Sequence, residues 1–324
     1  MVVGGAGYIG SHAVRALVRA GRDVVVLDNL STGHAGAVSG AELIKADIRD
    51  TETVCDVIKR QGVGAVMHFA ADSRVGESQL NPEQYYDNNV GGALSLLKAM
   101  RRADVDKLVF SSTAAVYGEA DGLITEQTEK RPSNVYGRTK WMIEQMLADF
   151  DMAYGMRYVA LRYFNAAGAD AKGDIGEDHD PETHLIPLVL QAAAGKRKEL
   201  TVFGDDYPTR DGTCVRDYIH VNDLASAHLL ALDALEAGEE SRAYNLGNGK
   251  GFTVLEVIQT VERVTGLKVP YKIGDRRPGD PPSLVADSSG IMRELGYAPR
   301  YAALEAIIET AWRFSRNNPE GYRK

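Results

Sequence analysis

The sequence predicts an α/β fold: a doubly wound parallel (Rossmann) sheet with a smaller mixed α/β lobe beside it. Three observations carry this. Short, β-branched apolar runs alternate with longer helical patterns through the first half of the chain. A glycine cluster, Gly4-Gly5-Ala6-Gly7-Tyr8-Ile9-Gly10, falls between the first strand and the first helix. After about residue 165 the alternation becomes irregular, and strands and helices shorten.

The elements follow in order. Met1-Val2-Val3 is all that precedes the glycine cluster, so the first strand is expected to be short. Asp23–Asp28, Glu42–Asp47, Ala65–Ala70, Lys107–Ser112 and Tyr158–Phe164 read as buried strands because their apolar residues run nearly without interruption. Between them, Gly10–Ala20, Thr51–Arg60, Pro82–Arg102 and Asn134–Tyr154 read as helices. A Gly/Asp-rich loop, Ala167–Pro181, opens the second half. A helix near Leu185–Ala194, strands Leu200–Phe203, Val215–His220 and Ala243–Leu246, and helices Val221–Leu235 and Thr253–Thr265 follow. Thr253 is placed to cap the last of these, with Val254, Val257, Ile258 and Val261 on one face. The division expected is 1–165 and 166–324, with some elements interleaving.

Composition narrows the function. The chain has 324 residues, with 37 basic and 45 acidic side chains giving a net charge of −8, which disfavours a broad nucleic-acid surface. No apolar stretch reaches membrane-spanning length, and no basic segment followed by an apolar run suggests a signal peptide. Two cysteines, Cys55 and Cys214, make no disulfide framework, and a cytoplasmic setting is expected.

The glycine cluster is built for a phosphate. Small residues let the backbone approach a pyrophosphate, and the N–H groups that open a helix face the anion. Asp28 ends the second strand, where a carboxylate accepts from a ribose diol and repels a 2′-phosphate, favouring NAD. Further on, Tyr136 and Lys140 lie one helical turn apart, and an ammonium beside a phenol favours the phenolate. The strand before them ends in Ser111-Ser112-Thr113, at the edge where ligands sit in such sheets. A dinucleotide fold with a hydroxyl, a tyrosine and a lysine is equipment for hydride transfer at a carbinol.

These motifs resemble the sugar-nucleotide C4 epimerases of the extended short-chain dehydrogenase/reductase family. Similar stretches span nearly the whole chain, Val215-Arg216-Asp217-Tyr218-Ile219-His220-Val221 being the most specific. The resemblance implies inversion at C4 of a UDP-hexose, glucose to galactose and back, through a transient 4-keto sugar with NAD as cofactor. It assigns catalysis to Tyr136, Lys140 and Thr113. It assigns the cofactor to Gly4, Gly7, Tyr8, Ile9, Gly10, Asp28, Asn29, Asp47, Ile48, Phe69, Ala70, Ala71, Ser73, Asn88, Lys140 and Phe164. Ser73 stands where many relatives carry Lys. Substrate contacts fall to Thr113, Tyr136, Asn165, His184, Leu185, Thr201, Val202, Phe203, Arg216, Arg277, Asp280 and Leu284, the two arginines facing the diphosphate. Leu284 falls where relatives carry Tyr or a smaller residue according to their tolerance of N-acetylated sugars. A homodimer through Pro82–Arg102 and Asn134–Tyr154 is implied, with Val90, Leu94, Leu97, Met142 and Met146 as contact positions.

Two rivals are weighed. A nucleotide-sugar 4,6-dehydratase needs an acid–base pair after Thr113, where this chain has Ala114 and Ala115. An inactive NAD-binding protein would not need Thr113, Tyr136 and Lys140 together. No metal is expected: Glu177–His184 is rich in ligand types, but a loop containing Pro181 does not promise convergence. Cys214, His12 and His68 are read as structural.

Overall fold

A computed structural model describes residues 1–120, 122–277 and 280–322. Its main sheet has seven strands, all parallel: β1 (Val2–Val3), β2 (Val25–Asp28), β3 (Glu42–Lys45), β4 (Val66–His68), β5 (Lys107–Thr113), β6 (Arg157–Tyr163) and β7 (Arg242–Leu246). Their spatial order is β7-β6-β5-β4-β1-β2-β3. Because chain order reverses between β1 and β4, the carboxyl ends of these two strands flank a crevice.

The strand period of two divides the core. Val2, Val26, Met67, Val109, Val159 and Leu161 face one layer, formed by helix α1 (Tyr8–Arg19) and a helix from far along the chain. Val3, Leu27, Val66, Leu108, Phe110 and Ala160 face the other. That second layer is α2 (Thr51–Arg60), α3 (Gly92–Arg102) and α4 (Val135–Tyr154).

The smaller lobe has its own core, around α5 (Leu185–Ala193), α7 (Val254–Thr265) and α8 (Leu304–Asn317). Two elements cross residue 165. Strand β7 and helix α6 (Val221–Glu236) come from the second half, yet β7 pairs with β6 and α6 packs on the sheet beside α1. The cause is apolar burial: Leu224, Ala227, Ala231 and Leu235 of α6 cover sheet residues that α1 leaves open.

Three local differences bear on the site. The helix read over Pro82–Arg102 is interrupted by a π-helical turn at Tyr86–Gly91, which carries Asn88 and Asn89. The strand read over Val215–His220 breaks at Asp217 into Val215–Arg216 and Tyr218–His220. Strands Leu123–Ile124, Asn165–Ala167, Phe252–Thr253, Tyr271–Gly274 and Ser283–Ala286, absent from the sequence reading, complete the small sheets. Thr253 caps α7 as expected, with Glu256 closing a capping box.

Candidate active site

Of the amides in the glycine turn between β1 and α1, that of Ala6 is taken by the Asp28 carboxylate, and the others meet no side chain among the described residues. Gly7 is the N-cap, makes no side-chain capping bond, and no acidic residue occupies the first turn. A Cβ at Gly10 would stand 2.1 Å from Gly4 O, and one at Gly4 would stand 2.4 Å from Ala70 N. These glycines therefore pack backbone against backbone, while the space beside Gly7 is open to 3.5 Å. The cradle fits a pyrophosphate. Tyr8 and Ile9 offer it their amides, since the Tyr8 hydroxyl donates to Gly168 O and Ile9 packs on the core.

Asp28 is buried and already accepts from Ala6 N and Leu30 N at 2.9 and 2.8 Å, which fixes its orientation. Asp47 is held well below the usual carboxylate range, at about 2, chiefly by the Arg49 guanidinium hydrogen-bonded to it. The Ile48 side chain lies in the core against α2 and α3, so that residue can serve a ligand through its backbone alone. Phe69 stacks near His228 with centroids 4.7 Å apart.

Tyr136, Lys140 and Thr113 converge at the carboxyl end of β5. Thr113 terminates the strand and caps the following turn through Ala115 N. Tyr136 opens α4, with its amide bonded to Ser78 Oγ. Lys140 is buried, donates to Ser111 O at 2.9 Å, and lies over the Phe110 ring at 4.9 Å and the Tyr136 ring at 6.0 Å.

Here one expectation fails. Lys140 was to lower the Tyr136 pKa, but burial raises Tyr136 to about 12, with a Thr113 hydrogen bond opposing the shift. Burial also lowers Lys140 to about 7, opposed by Glu144. Desolvation outweighs the ammonium because both groups are dry and Lys140 points at a backbone carbonyl instead of the phenol.

Residues that sequence reasoning did not single out support the pair. Asn89, buried by the π-helical turn, accepts from Asp72 N and donates to Asp72 O and Thr139 Oγ1, tying the loop after β4 to α4. Asn88, beside it, donates to Asn89 Oδ1 and stays partly exposed. Behind β5, Arg162 and Glu144 form a buried ion pair, with Ser112 donating to Glu144 and Arg162 to the Tyr117 hydroxyl. Only tertiary proximity reveals such partners; the polar residue in an apolar strand, Arg162, was the available sequence signal.

On the opposite side, Asp280 lies between the two predicted diphosphate arginines, 3.3 Å from Arg216 Nη2 and 3.0 Å from Arg277 Nε. The Arg277 guanidinium covers the Phe203 ring at 4.7 Å. Strand alternation sends Val202 into the core, so its side chain is removed from the expected contacts while Thr201 and Phe203 remain outside. Asn165 Nδ2 donates to Asp217 O, and the Asp217 carboxylate accepts from the amides of Asn248, Gly249 and Ala286. Leu284 pairs in register with Arg216 and packs with Phe164 around Val116, Tyr117 and Ile124. Leu185 opens α5, and His184, just before it, turns Nδ1 toward Glu177. Ala71 and Ser73 lie in the loop after β4, Ser73 exposed and Ala71 partly so, as is Asn29, which reaches Asp47 at 3.4 Å. The Glu177–His184 loop also converges after all: its two glutamates and two histidines face one another.

Residues 1–247 match the model of the NAD dependent epimerase/dehydratase family. The UDP-glucose 4-epimerase of Halalkalibacterium halodurans is 52% identical over 323 residues, covering 99% of this chain and 97% of that protein. A crystal structure of UDP-glucose 4-epimerase from Brucella ovis in complex with NAD superposes with a TM-score of 0.95 at 50% identity, covering 97% of each chain. That of Bifidobacterium longum in complex with NAD+ and UDP gives 0.93 at 39% identity, covering 99% of each.

Proposed function

The chain belongs to the NAD dependent epimerase/dehydratase family, and from that premise we propose that it interconverts UDP-glucose and UDP-galactose by inverting sugar C4. The observation that carries this reading is the convergence of Thr113, Tyr136 and Lys140 at the end of β5, in the crevice that the glycine turn opens. The dinucleotide is held by the Gly4–Gly10 amides, Asp28, Asn29, Asp47 and the loop from Phe69 to Ser73. When bound, NAD supplies a reversible hydride acceptor at sugar C4.

The chain's own part is proton handling and orientation. Thr113 orients the sugar O4. Tyr136 takes the O4 proton and returns it. Lys140, which changes charge near neutrality, forms one electrostatic unit with it: phenolate and ammonium together are less costly in a dry site than either alone. Arg216 and Arg277 exchange their Asp280 contacts for diphosphate oxygens, leaving Asp280 for a ribose hydroxyl. Ala114 and Ala115, in the turn after Thr113, offer no acid or base for elimination, which favours epimerisation over dehydration. Incubation with UDP-galactose tests this: UDP-glucose is the expected product, and a 4-keto-6-deoxy sugar would overturn it.

Leu284 supports a secondary activity on UDP-N-acetylgalactosamine, because it is shorter than tyrosine at the wall formed with Phe164. Leu284→Tyr is expected to lower the N-acetyl rate and spare the hexose rate; equal rates on both substrates would remove it as the gate. A homodimer through α3 and α4 is supported by Met142, exposed on α4, and by the partly exposed Val90, Leu94 and Met146; Leu97 belongs to the core instead. A cytoplasmic setting is supported by the free, buried Cys55 and Cys214. Among the described residues no helix is long and apolar enough to cross a membrane.

A further inference from the structure

Between the glycine turn and helix α5 the chain runs through Glu177, His179, Glu182 and His184. One carboxylate oxygen from each glutamate and one imidazole nitrogen from each histidine lie within 4.8 Å of one another. His179 Nδ1 is 3.3 Å from Glu177 Oε1 and 3.7 Å from Glu182 Oε1, and His184 Nδ1 also contacts Glu177 Oε1. A tetrahedral ion with bonds of about 2.0–2.1 Å sets its ligand atoms roughly 3.3 Å apart. The His179–Glu177 and His179–Glu182 separations stand near that spacing, while His184 Nδ1 and Glu177 Oε1, in direct hydrogen-bond contact, would have to part to admit the ion.

The charges are compatible with an ion. The Glu177 and Glu182 side chains are only 6% and 7% exposed, and neither pairs with a lysine or arginine among the described residues. Two carboxylates enclosed side by side require two positive charges. Two protonated imidazoles supply both by ion pairing, and one divalent ion with two neutral imidazoles supplies both at a single centre. Glu182 is oriented for this beforehand: its Oε1 accepts from Thr183 N and His184 N, while its Oε2 accepts from no described residue. Two imidazole nitrogens with two carboxylate oxygens form a donor set of intermediate softness, which suits zinc better than magnesium or calcium.

We propose that Glu177, His179, Glu182 and His184 bind one zinc ion, which pins the loop between the glycine turn and helix α5. The position gives the ion a mechanical role. His179 meets the Tyr8 ring edge-on at 6.2 Å, and His184 is the N-cap of α5 with no side-chain capping bond of its own. Zinc at this centre therefore ties the loop that meets Tyr8 at the start of α1 to the start of α5, and leaves the hydride and proton chemistry to other residues.

The test is zinc titration of the full-length protein against a chromophoric competitor, with elemental analysis and cobalt substitution. Expected are one zinc per chain, a visible spectrum of tetrahedral cobalt, and a higher unfolding temperature with zinc present. His179→Ala and Glu182→Gln should each weaken binding by more than about 100-fold, since losing even an outer-shell partner costs 10–100-fold. The wild-type titration stands by itself should a variant fold poorly. Absence of stoichiometric zinc, or equal affinity in wild type and both variants, overturns the proposal, leaving histidine–glutamate ion pairs or an adventitious ion only.

Discussion

Lys140→Met tests the electrostatics of the proposed catalytic pair, and the expected result runs against the usual effect of a buried substitution. Burial lowers Lys140 from 10.5 to about 7. A pKa lowered by folding means that the charged form is penalised in the folded state. The penalty is complete below pH 7, where the lysine is charged in both states, and vanishes as pH rises through 10.5. At about 1.4 kcal/mol per pKa unit, it is about 5 kcal/mol in acid and about 4 kcal/mol at pH 7. Methionine has a similar length, carries no charge, and places its sulfur near the Phe110 ring that Lys140 Nζ now covers at 4.9 Å. The loss is one hydrogen bond to Ser111 O, about 1–3 kcal/mol for a buried acceptor left unpaired. The variant should thus be more stable than wild type by about 1–3 kcal/mol at pH 7, should lose that advantage towards pH 10, and should turn over poorly. Urea unfolding of nucleotide-free protein at pH 6, 8 and 10 measures it. A stability difference that does not change with pH, or a variant less stable at every pH, would refute the reasoning.

Further substitutions probe the other elements. Tyr136→Phe removes the proton acceptor while keeping the ring, so turnover should fall by about 10²–10⁴ with bound NAD retained; near-normal turnover would exclude Tyr136 from proton transfer. Gly10→Ala pushes a methyl group to 2.1 Å from Gly4 O, and should abolish NAD retention and lower the unfolding temperature; unchanged cofactor content would mean the turn is not the pyrophosphate cradle. Glu144→Gln strands the Arg162 guanidinium in the core and should cost about 3–5 kcal/mol in denaturant unfolding; a cost below 1 kcal/mol would mean that water reaches the pair.

The extent to which the site was legible differs from residue to residue. Gly4, Gly7 and Gly10 could be read because their chemistry is local: the same few residues make the strand, the turn and the helix start. Thr253 and its helix were legible for the same reason. That the Val202 and Ile48 side chains are buried, leaving only their backbones to meet a ligand, was not legible, because a stretch similar to a binding segment contains inward and outward residues alike and only the packed strand or turn decides which side chain is buried. Asn89 stood next to a recognised position, yet its task depends on Asp72 and Thr139, which reach it only through the fold.

The amino-acid sequence by itself determined the alternating elements, the glycine turn between strand and helix, and the candidate set Thr113, Tyr136 and Lys140. It did so because period, turn chemistry and functional group are written within a few residues of one another. Tertiary structure alone decided that β7 and α6 cross from the second half to complete the sheet, that Tyr136 and Lys140 sit where desolvation dominates their titration, and that two glutamates and two histidines converge. Burial and through-space distance control those three outcomes, and neither is a property of any short stretch of chain.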